Sequence, residues 1–172
     1  MNFDILNTDD RMLSDVELRH IVGIMAHPKV LAFEPDYRNQ QDLDYLFREV
    51  LKSSRDPTRI GQHVNLIAKL DDVLVGFLGI HRQPPPRDHV GDVGMAVHPD
   101  HWRQGIGTML LTTGIELSRE IGLTRLEADI LAYNEGMRKL AEKTGFKLFE
   151  VSKYAVDMFA KMEDMTLYVR LV

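Results

Sequence analysis

The sequence predicts an α/β fold in which a mixed central β-sheet of about seven strands is flanked by about four helices. Residues 64–80 give the first supporting pattern: apolar and polar residues alternate, an Asp-Asp turn follows, and a nearly all-apolar run returns. This pattern is typical of an antiparallel hairpin. Residues 90–121 give the second, an apolar strand joined by a polar, glycine-containing loop to an amphipathic helix. The order of predicted elements, β-α-α-β-β-β-α-β-α-β-β, indicates one mixed sheet with helices on its faces.

The N-terminal third of the chain predicts one strand and two helices. A short strand is expected at residues 3–5, where apolar and polar residues alternate. The first helix is expected to be capped by Asp9 or Asp10 and to end at His27, because the residue before a proline is driven out of the α region. A second helix is expected from about Gln41. The apolar stripes of these two helices are Leu18, Ile21, Val22 and Met25, then Leu43, Leu46, Phe47, Val50 and Leu51.

The C-terminal part predicts three further strands and a short helix. The strands are expected at residues 126–130, 146–156 and 165–171. Asn134 is placed to cap the short helix, and Gly145 is placed to end it. The apolar face of this helix comprises Met137, Leu140, Ala141 and Thr144.

Composition narrows the possible functions. A chain of 172 residues is most simply one domain, and we expect a single domain over residues 1–172. The sequence has no cysteine, which excludes disulfides, thiolate metal ligands and a cysteine nucleophile. A net charge of −5 disfavours nucleic acid as a partner, and no apolar run is long enough for a membrane span. The first residues lack the basic and apolar regions of a signal peptide, so we expect a cytoplasmic protein.

Two glycines, Gly105 and Gly107, stand at the junction of loop and helix in the 90–121 segment. The first N–H groups of a helix have no partner within the helix and lie at its positive end, so they bind anions. Glycine there lets the main chain approach a phosphate without an intervening Cβ. The third glycine of a dinucleotide fingerprint is missing, and no Gly-Lys-Ser/Thr follows. The pattern favours an anionic ligand, although glycines that only relieve crowding at a corner would give the same pattern.

Two motifs together resemble the acetyl-CoA-binding core of the GNAT family of N-acetyltransferases. The first runs from Val97 to Gly107, Val-His-Pro-Asp-His-Trp-Arg-Gln-Gly-Ile-Gly, and is similar to the family's Val-x-Pro step and Arg/Gln-x-x-Gly-x-Gly/Ala loop. The second is Asn134, followed by a short helix and then Gly145 and Phe146. The resemblance implies the acetyl-CoA N-acyltransferase-like fold, acetyl-CoA as the cosubstrate, and no metal.

The resemblance also implies how the cofactor is held. In the family, the strand before the loop splays from its neighbour and pairs its free backbone groups with the pantetheine arm, while loop N–H groups hold the pyrophosphate. The helix-capping asparagine contacts the pantetheine or lies beside the catalytic groups, although here it could equally be an ordinary N-cap. The corresponding residues of this chain are Met95, Ala96 and Val97 for pantetheine, Arg103, Gln104, Gly105, Ile106, Gly107 and Thr108 for pyrophosphate, and Asn134.

Two positions depart from the family pattern. Trp102 stands where the family usually has arginine or glutamine, which matters little because backbone groups do most of the phosphate binding. Ala141 stands where many members carry a tyrosine that protonates the leaving thiolate. The general acid must therefore come from another residue or from water, and Tyr133 and Tyr154 are the candidates. Each of them could instead be an aromatic residue packed in an ordinary way.

The reaction that the resemblance implies is direct attack of an amine on the thioester carbonyl. The amine must first lose its proton, and Asp92 is the best candidate for the base, because it lies on the strand that enters the site and matches a glutamate frequent in the family. Glu127 and Asp129 on the next strand are second choices, and any of the three could be a solvent-facing carboxylate. Backbone N–H groups near Val97 could stabilise the oxyanion.

The predicted function is an acetyl-CoA-dependent N-acetyltransferase that acts on a small-molecule amine or a peptide N-terminus. The alternative is a catalytically weak CoA-binding sensor or interaction protein of the same fold, which Ala141 keeps open. The N-terminal helices and the loops at residues 27–39 and 151–164 are expected to form the acceptor site. No two of the seven histidines show the i, i+4 spacing of a helical zinc site. A homodimer is expected from the resemblance only.

Overall fold

The computed structural model describes residues 4–8, 13–34, 44–45, 48 and 61–172. The strands are β1 (Asp4–Asn7), β2 (His63–Leu70), β3 (Val73–Arg82), β4 (Val90–Val97), β5 (Arg125–Leu131), β6 (Lys147–Met158) and β7 (Lys161–Leu171). The helices whose bounds the structure describes are α1 (Asp15–Met25), α2 (Pro28–Leu31), α3 (Ile106–Glu120) and α4 (Glu135–Lys143), with a 3₁₀ turn at Pro99–His101. The described strands form one sheet in the order β1-β2-β3-β4-β5-β7-β6. The predicted mixed sheet of seven strands with flanking helices is confirmed.

The N-terminal helices differ in detail from the prediction. The hydroxyl of Ser14 accepts the N–H of Glu17 at 3.2 Å, and the Glu17 carboxylate accepts the N–H of Ser14 at 2.8 Å. This reciprocal capping box fixes the start of α1, so the prediction of Asp9 or Asp10 as its cap is wrong. The four-residue α2 forms where a loop was predicted and has a proline in its first turn. The helix predicted from Gln41 lies largely outside the described residues.

A helical layer packs on each face of the sheet. On one face, α3 and α4 cover the larger core, in which Leu110 and Ile115 of α3 are buried. On the other face, α1 and α2 cover a smaller core that includes Ile24 of α1 and Ala96 of β4. Side chains alternate along a strand, so Met95 of β4 packs on the α3 side while its neighbour Ala96 points to the α1 side. None of the described helices is long and apolar enough to cross a membrane.

β4 and β5 run parallel and separate partway along their length. They pair only over Val90–Asp92 and Arg125–Glu127. Beyond these residues, β4 stays paired with β3 as far as Val97, and β5 stays paired with β7 as far as Leu131. An opening between the two strands, which we call the β4–β5 wedge, therefore widens towards the loop that precedes α3.

Candidate active site

The β4 wall of the β4–β5 wedge presents main-chain hydrogen-bonding groups. The N–H of His98 donates to the carbonyl of Val75, opposite it on β3, at 2.8 Å. Bonded and non-bonded pairs alternate along an antiparallel ladder, so Met95 and Val97 direct their N–H and C=O groups away from β3 and into the wedge. The same alternation turns the backbone groups of Ala96 towards β3. Two of the three residues expected to hold pantetheine therefore present main-chain groups to the wedge.

The β5 wall presents a matching set of groups. The N–H of Ala132 donates to the carbonyl of Asp164 at 2.9 Å. By the same alternation, Asp129 and Leu131 direct their backbone groups away from β7 and towards β4. These two residues were not predicted as main-chain partners, because the β5–β7 register decides their orientation and the sequence does not reveal it.

The loop before α3 has the geometry of an anion site. Arg103 and Gly105 both have left-handed backbones, with φ of 60° and 90°. Backbone N–H groups converge in such turns, and a non-glycine residue held there marks a candidate functional position. α3 begins at Ile106, its N-cap Gly105 supplies no side-chain hydrogen bond, and its first turn has no acidic residue. The first N–H groups of α3 are therefore not claimed by a capping side chain, and they fit the phosphates expected here.

Gly107 allows α3 to approach its neighbours closely. A Cβ at this position would lie 3.1 Å from Leu140 of α4 and 3.4 Å from Met95 of β4. The two glycines thus have different roles, since Gly105 supplies a left-handed turn and Gly107 supplies close packing at the mouth of the wedge.

Trp102 connects the loop between β4 and α3, which we call the cofactor loop, to the end of β4. Its indole N–H donates to the carbonyl of Val97 at 2.6 Å, and 38% of the residue is exposed. The family's usual arginine or glutamine is thus replaced by a side chain that ties the loop to the strand and covers one carbonyl at the mouth of the wedge.

Asn134, the N-cap of α4, and Ala141, within α4, have clear structural roles. The side-chain oxygen of Asn134 accepts the N–H of Met137 at 3.1 Å, so the N-cap interpretation is confirmed. The amide nitrogen of Asn134 has no partner among the described residues and stays available to donate to a ligand. Ala141 is fully buried in the core under α4 and carries no proton donor.

The two candidate tyrosines occupy different surroundings. The hydroxyl of Tyr133, just after β5, donates to the carbonyl of Ala32, and its ring lies 5.6 Å from that of Phe33. Burial, and secondarily the charge of Glu163, raises the pKa of Tyr133. Tyr154 is 72% exposed on the edge strand β6, from which β7 separates β5. Only Tyr133 therefore lies at the end of a strand that lines the wedge.

Three carboxylates lie on the face of the sheet opposite α3 and α4. Asp92 of β4 and Glu127 of β5 are neighbours in the parallel register, and Asp129 follows on the same side of β5. Glu127 forms ion pairs with Arg125 at 2.6 Å and Arg87 at 2.7 Å. Burial alone would raise the pKa of Glu127, but the hydrogen bonds from Arg125 and Arg87 lower it. Glu127 is thus held as a paired anion, which makes it a poor proton acceptor.

Asp92 and Asp129 differ from Glu127, because neither forms an ion pair with a cation among the described residues. Asp92 accepts a hydrogen bond from the amide of Gln83 at 2.6 Å. The pKa of Asp129 is raised by burial and then by the negative charges of Asp92, Glu127 and Glu150. A carboxylate whose pKa is raised is a stronger base, so Asp129 is a candidate acceptor for a proton from a nearby amine.

Sequence-based prediction missed three side chains that hold these carboxylates, namely Gln83, Arg87 and Arg125. The first two lie in the link between β3 and β4, whose length is visible in the sequence. Their contacts depend on strand register, which pairs residues as far apart as Arg87 and Glu127. No local pattern indicates such a contact.

Three histidines meet where α2 approaches the cofactor loop. The rings of His27 and His98 lie 5.4 Å apart, and that of His101 lies 6.0 Å from His98. The described part of the chain contains no group of three or more His, Asp or Glu side chains arranged to hold a metal ion. The ring contacts themselves join α2 to the loop before α3.

Comparison with known proteins adds independent evidence. The family model for the acetyltransferase (GNAT) family matches residues 29–146. Among solved structures, yncA of Salmonella typhimurium, determined with acetyl-CoA, is 19% identical with a TM-score of 0.80 over 98% of this chain and 93% of its own. Ribosomal-protein-alanine N-acetyltransferase of Brucella melitensis is 20% identical with a TM-score of 0.78 over 100% of both chains.

A chimeric spermidine N-acetyltransferase that includes Vibrio cholerae sequence is 15% identical, with a TM-score of 0.76 over 99% of this chain and 96% of its own. Identities this low show a shared fold and nothing finer. The family model, in contrast, matches more than half of the chain and contains the wedge, the glycine loop and α4. The chain therefore belongs to the GNAT family of acetyltransferases.

Proposed function

We propose that this protein transfers the acetyl group of acetyl-CoA directly to a primary amine, on a small molecule or at a protein N-terminus, and that residues 1–172 act as one domain. The observation that carries the proposal is the β4–β5 wedge, where Met95 and Val97 face Asp129 and Leu131 with main-chain groups. An extended chain that carries amides can add to such strands by hydrogen bonding, and pantetheine is a chain of this kind.

The remaining cofactor contacts follow from the loop. We assign the pyrophosphate to the left-handed turn and the first N–H groups of α3, and the free amide nitrogen of Asn134 to the pantetheine arm. The guanidinium of Arg103 adds a positive charge beside the phosphates. The residues proposed for the pyrophosphate are Arg103, Gln104, Gly105, Ile106, Gly107 and Thr108.

The acceptor amine must be neutral before it attacks the thioester. For a lysine-like amine, deprotonation at pH 7 costs roughly 4–5 kcal/mol, whereas for an α-amine it costs about 1 kcal/mol. We propose Asp92 as the base, acting directly or through water, with Asp129 beside it as the second proton acceptor. Their position on one face of the splayed strands supports this assignment.

The leaving thiolate needs a proton. We propose Tyr133 as its donor, since it follows β5 at the wide end of the wedge and its raised pKa keeps the phenol protonated. Tyr154 is the weaker candidate because it is exposed on the far edge of the sheet. Main-chain N–H groups at the end of β4 are suited to stabilise the oxyanion of the tetrahedral intermediate.

Two measurements test the proposal in sequence. Isothermal titration calorimetry with acetyl-CoA is expected to give saturable one-to-one binding, and an absence of binding would refute the proposal. A thiol-release assay then compares polyamines, amino acids, aminoglycosides and peptides with free N-termini. Turnover with any of these amines supports the enzyme, and mass spectrometry of the product distinguishes N-acetylation from simple hydrolysis of the thioester.

The second candidate function is a CoA-binding sensor or interaction protein with little catalysis. Ala141 favours it, because the position that often supplies the acid is a buried methyl group. This candidate predicts tight acetyl-CoA binding with no amine-dependent thiol release across the panel. Turnover above the hydrolysis rate with any amine rules it out.

We also propose a homodimer, assembled through the edge of the sheet at β6. This edge strand exposes a run of large apolar side chains, which soluble monomers rarely leave uncovered. They are Leu148, Phe149, Val151 and Tyr154. Light scattering at micromolar concentration is expected to give about twice the chain mass of 19.7 kDa, and a value equal to the chain mass would refute the dimer.

We also propose that the protein is located in the cytoplasm, as suits an enzyme that consumes acetyl-CoA. Cell fractionation tests this location.

A further inference from the structure

The short helix α2 links the two walls of the β4–β5 wedge beyond their paired part. At its N-terminus, the ring of His27 lies 5.4 Å from that of His98, which directly follows β4. At its C-terminus, the carbonyl of Ala32 accepts a hydrogen bond from the hydroxyl of Tyr133, which comes just after β5. We call residues 27–33 the α2 bridge.

The α2 bridge is a continuous piece of hydrogen-bonded backbone. The N–H groups of residues 30 to 34 each donate to a carbonyl three or four residues earlier in the chain. With a rise of about 1.5 Å per residue, its two ends lie about 8 Å apart along the helix. Val30 is buried in the smaller core, so the bridge lies on the same face of the sheet as the three carboxylates.

The hydrogen bond to Ala32 engages the one proton that Tyr133 can donate. A phenol has a single O–H, so a phenol that donates to a carbonyl cannot at the same time protonate a thiolate. The ring of Phe33 lies 5.6 Å from that of Tyr133 and keeps it beside the bridge. Tyr133 is nevertheless 40% exposed, so a ligand can reach this hydrogen bond from solvent. The proposed acid is therefore held with its proton committed to the α2 bridge.

We propose that the α2 bridge withholds the proton of Tyr133 until an acceptor amine binds, and that the amine releases it by donating an N–H of its own to the carbonyl of Ala32; this inference rests on the proposed function. An amine carries N–H donors that suit a carbonyl, so one hydrogen bond replaces the other. The phenolic O–H then becomes available by rotation about its C–O bond. Phe33 is the positioning residue that keeps the phenol on the bridge.

The protons balance in this sequence of events. The amine nitrogen forms a bond to the acetyl carbon and gives one proton to Asp92, the C–S bond breaks, and the thiolate takes the phenolic proton of Tyr133. The phenolate then regains a proton from water, and Asp92 returns one proton to water. Without an amine the acid stays on the bridge, so the enzyme hydrolyses little acetyl-CoA.

The simpler explanation is that the hydrogen bond between Tyr133 and Ala32 only fastens α2 to the end of β5. That explanation predicts a loss of stability when the contact is weakened, and no gain of any activity. The two explanations therefore differ in the sign of the effect on hydrolysis.

The first test measures hydrolysis of acetyl-CoA by thiol release with no amine present. Phe33→Ala is expected to raise this rate about tenfold, a part of the ~100-fold or more that a positioned acid supplies. Adding Tyr133→Phe to Phe33→Ala is expected to restore the wild-type rate, because the released proton is then absent. Phe77→Ala is the matched control and should keep the wild-type rate, since it removes an aromatic ring from the same face at β3, which β4 separates from β5.

The second test asks whether an N–H donor releases the phenol. Nuclear magnetic resonance of isotope-labelled tyrosine, with the Cζ signal of Tyr133 assigned by its loss in Tyr133→Phe, reports this hydrogen bond. In the complex with coenzyme A, n-butylamine is expected to shift the signal in the same direction as Phe33→Ala does. The matched ligand n-butyltrimethylammonium has the same charge and no N–H, and it is expected to leave the signal unchanged.

Three results would overturn this inference and leave acetyl transfer to amines standing. They are equal shifts, or none, with the two ligands; a hydrolysis rate of Phe33→Ala no higher than that of the wild type; and an increase that persists when Tyr133→Phe is added. A wild type that neither binds acetyl-CoA nor acetylates any amine of the panel would instead refute the proposed function.

Discussion

The cofactor side and the acceptor side of this site are built from different parts of the protein chain. On the proposed cofactor side, main-chain groups of β4 point into the β4–β5 wedge, and the glycine loop and the first turn of α3 lie at its mouth. On the acceptor side, charged side chains of β4 and β5 face the other surface of the sheet, held by Gln83, Arg87 and Arg125. Main-chain recognition tolerates many side chains, whereas acid–base chemistry needs particular ones. If the proposed roles hold, substitutions of side chains should affect the acceptor side more than the cofactor side.

The largest effect is expected on the acceptor side. Asp92→Asn and Asp129→Asn should each lower kcat for a lysine-like amine by about 100-fold, since a positioned base contributes on that order, while the Kd for acetyl-CoA stays unchanged. In Asp92→Asn the pKa of Asp129 falls, because a neighbouring negative charge is removed, so the acidic limb of the pH–rate profile moves to lower pH. Steady-state kinetics between pH 5 and 9 measure both quantities.

Glu150→Gln is the control for this pair, since Glu150 adds charge near Asp129 from β6 but does not line the wedge. It should change kcat by no more than about twofold. Wild-type kcat in both aspartate variants would show that the base lies elsewhere. The claim that side chains of β4 and β5 carry the acid–base chemistry would then be wrong.

The next effect is expected on the cofactor side. Gly105 and Gly122 both have left-handed backbones, with φ of 90° and 81°, and an added Cβ meets no atom at either position. Gly105→Ala and Gly122→Ala should therefore lose similar free energies of unfolding, ~1–2 kcal/mol each. Only Gly105→Ala should also weaken acetyl-CoA binding, by about tenfold, because it distorts the phosphate loop. Equal affinities of the two variants would mean that main-chain geometry at Gly105 does not matter for the cofactor.

A smaller effect concerns the stability of the acceptor side. The pKa of Glu127 in the folded protein lies below its ordinary value of 4.5, so its ion pairs stabilise the fold above about pH 4.5 and are lost as the pH falls through the lowered pKa. Arg87→Met should lower the free energy of unfolding by ~1 kcal/mol at pH 7, and the difference should shrink below about pH 4. Urea titrations at both pH values measure it. Lys139→Met, in an exposed pair, should cost less, and a pH-independent loss in Arg87→Met would refute the ion-pair explanation.

The smallest effect is expected at Trp102. Trp102→Phe keeps an aromatic ring but removes the hydrogen bond to Val97, so acetyl-CoA should bind about threefold more weakly. Trp102 is the one tryptophan of the chain, which lets its fluorescence report on the loop. Titration of the wild type with acetyl-CoA should change this fluorescence. If calorimetry shows binding and the fluorescence does not change, the cofactor does not alter the surroundings of Trp102.

The cofactor side and the acceptor side also differ in how far they can be predicted from the sequence. Most of the proposed cofactor side lies in one stretch, β4 to the first turn of α3, whose glycines and proline are visible in the sequence, as is the later Asn134 cap. The main-chain groups of Asp129 and Leu131 depend instead on the β5–β7 register. The strand pattern likewise predicts seven strands in one mixed sheet, because each strand has its own periodicity, but it does not predict their order in the sheet. In contrast, the capping box of Ser14 and Glu17 was overlooked although its spacing is visible in the sequence.

The acceptor side depends on contacts between distant residues. Arg87 meets Glu127 because β4 pairs with β5 over Val90–Asp92, and Tyr133, just after β5, meets Ala32 at the end of α2. Such contacts follow from register and packing, which no local pattern indicates. The short α2 was missed for a related reason, since four residues are too few to show a helical period.

Hydrogen–deuterium exchange of the wild type with and without acetyl-CoA tests the central claim, that main-chain groups hold the cofactor. The amides of Met95 and Val97 on β4, and those of Arg103 to Thr108 in the loop and first turn of α3, should exchange more slowly when the cofactor is bound. The amide of Ala96, which faces β3, should change little. Saturation with acetyl-CoA without protection of the loop and β4 amides would contradict the account.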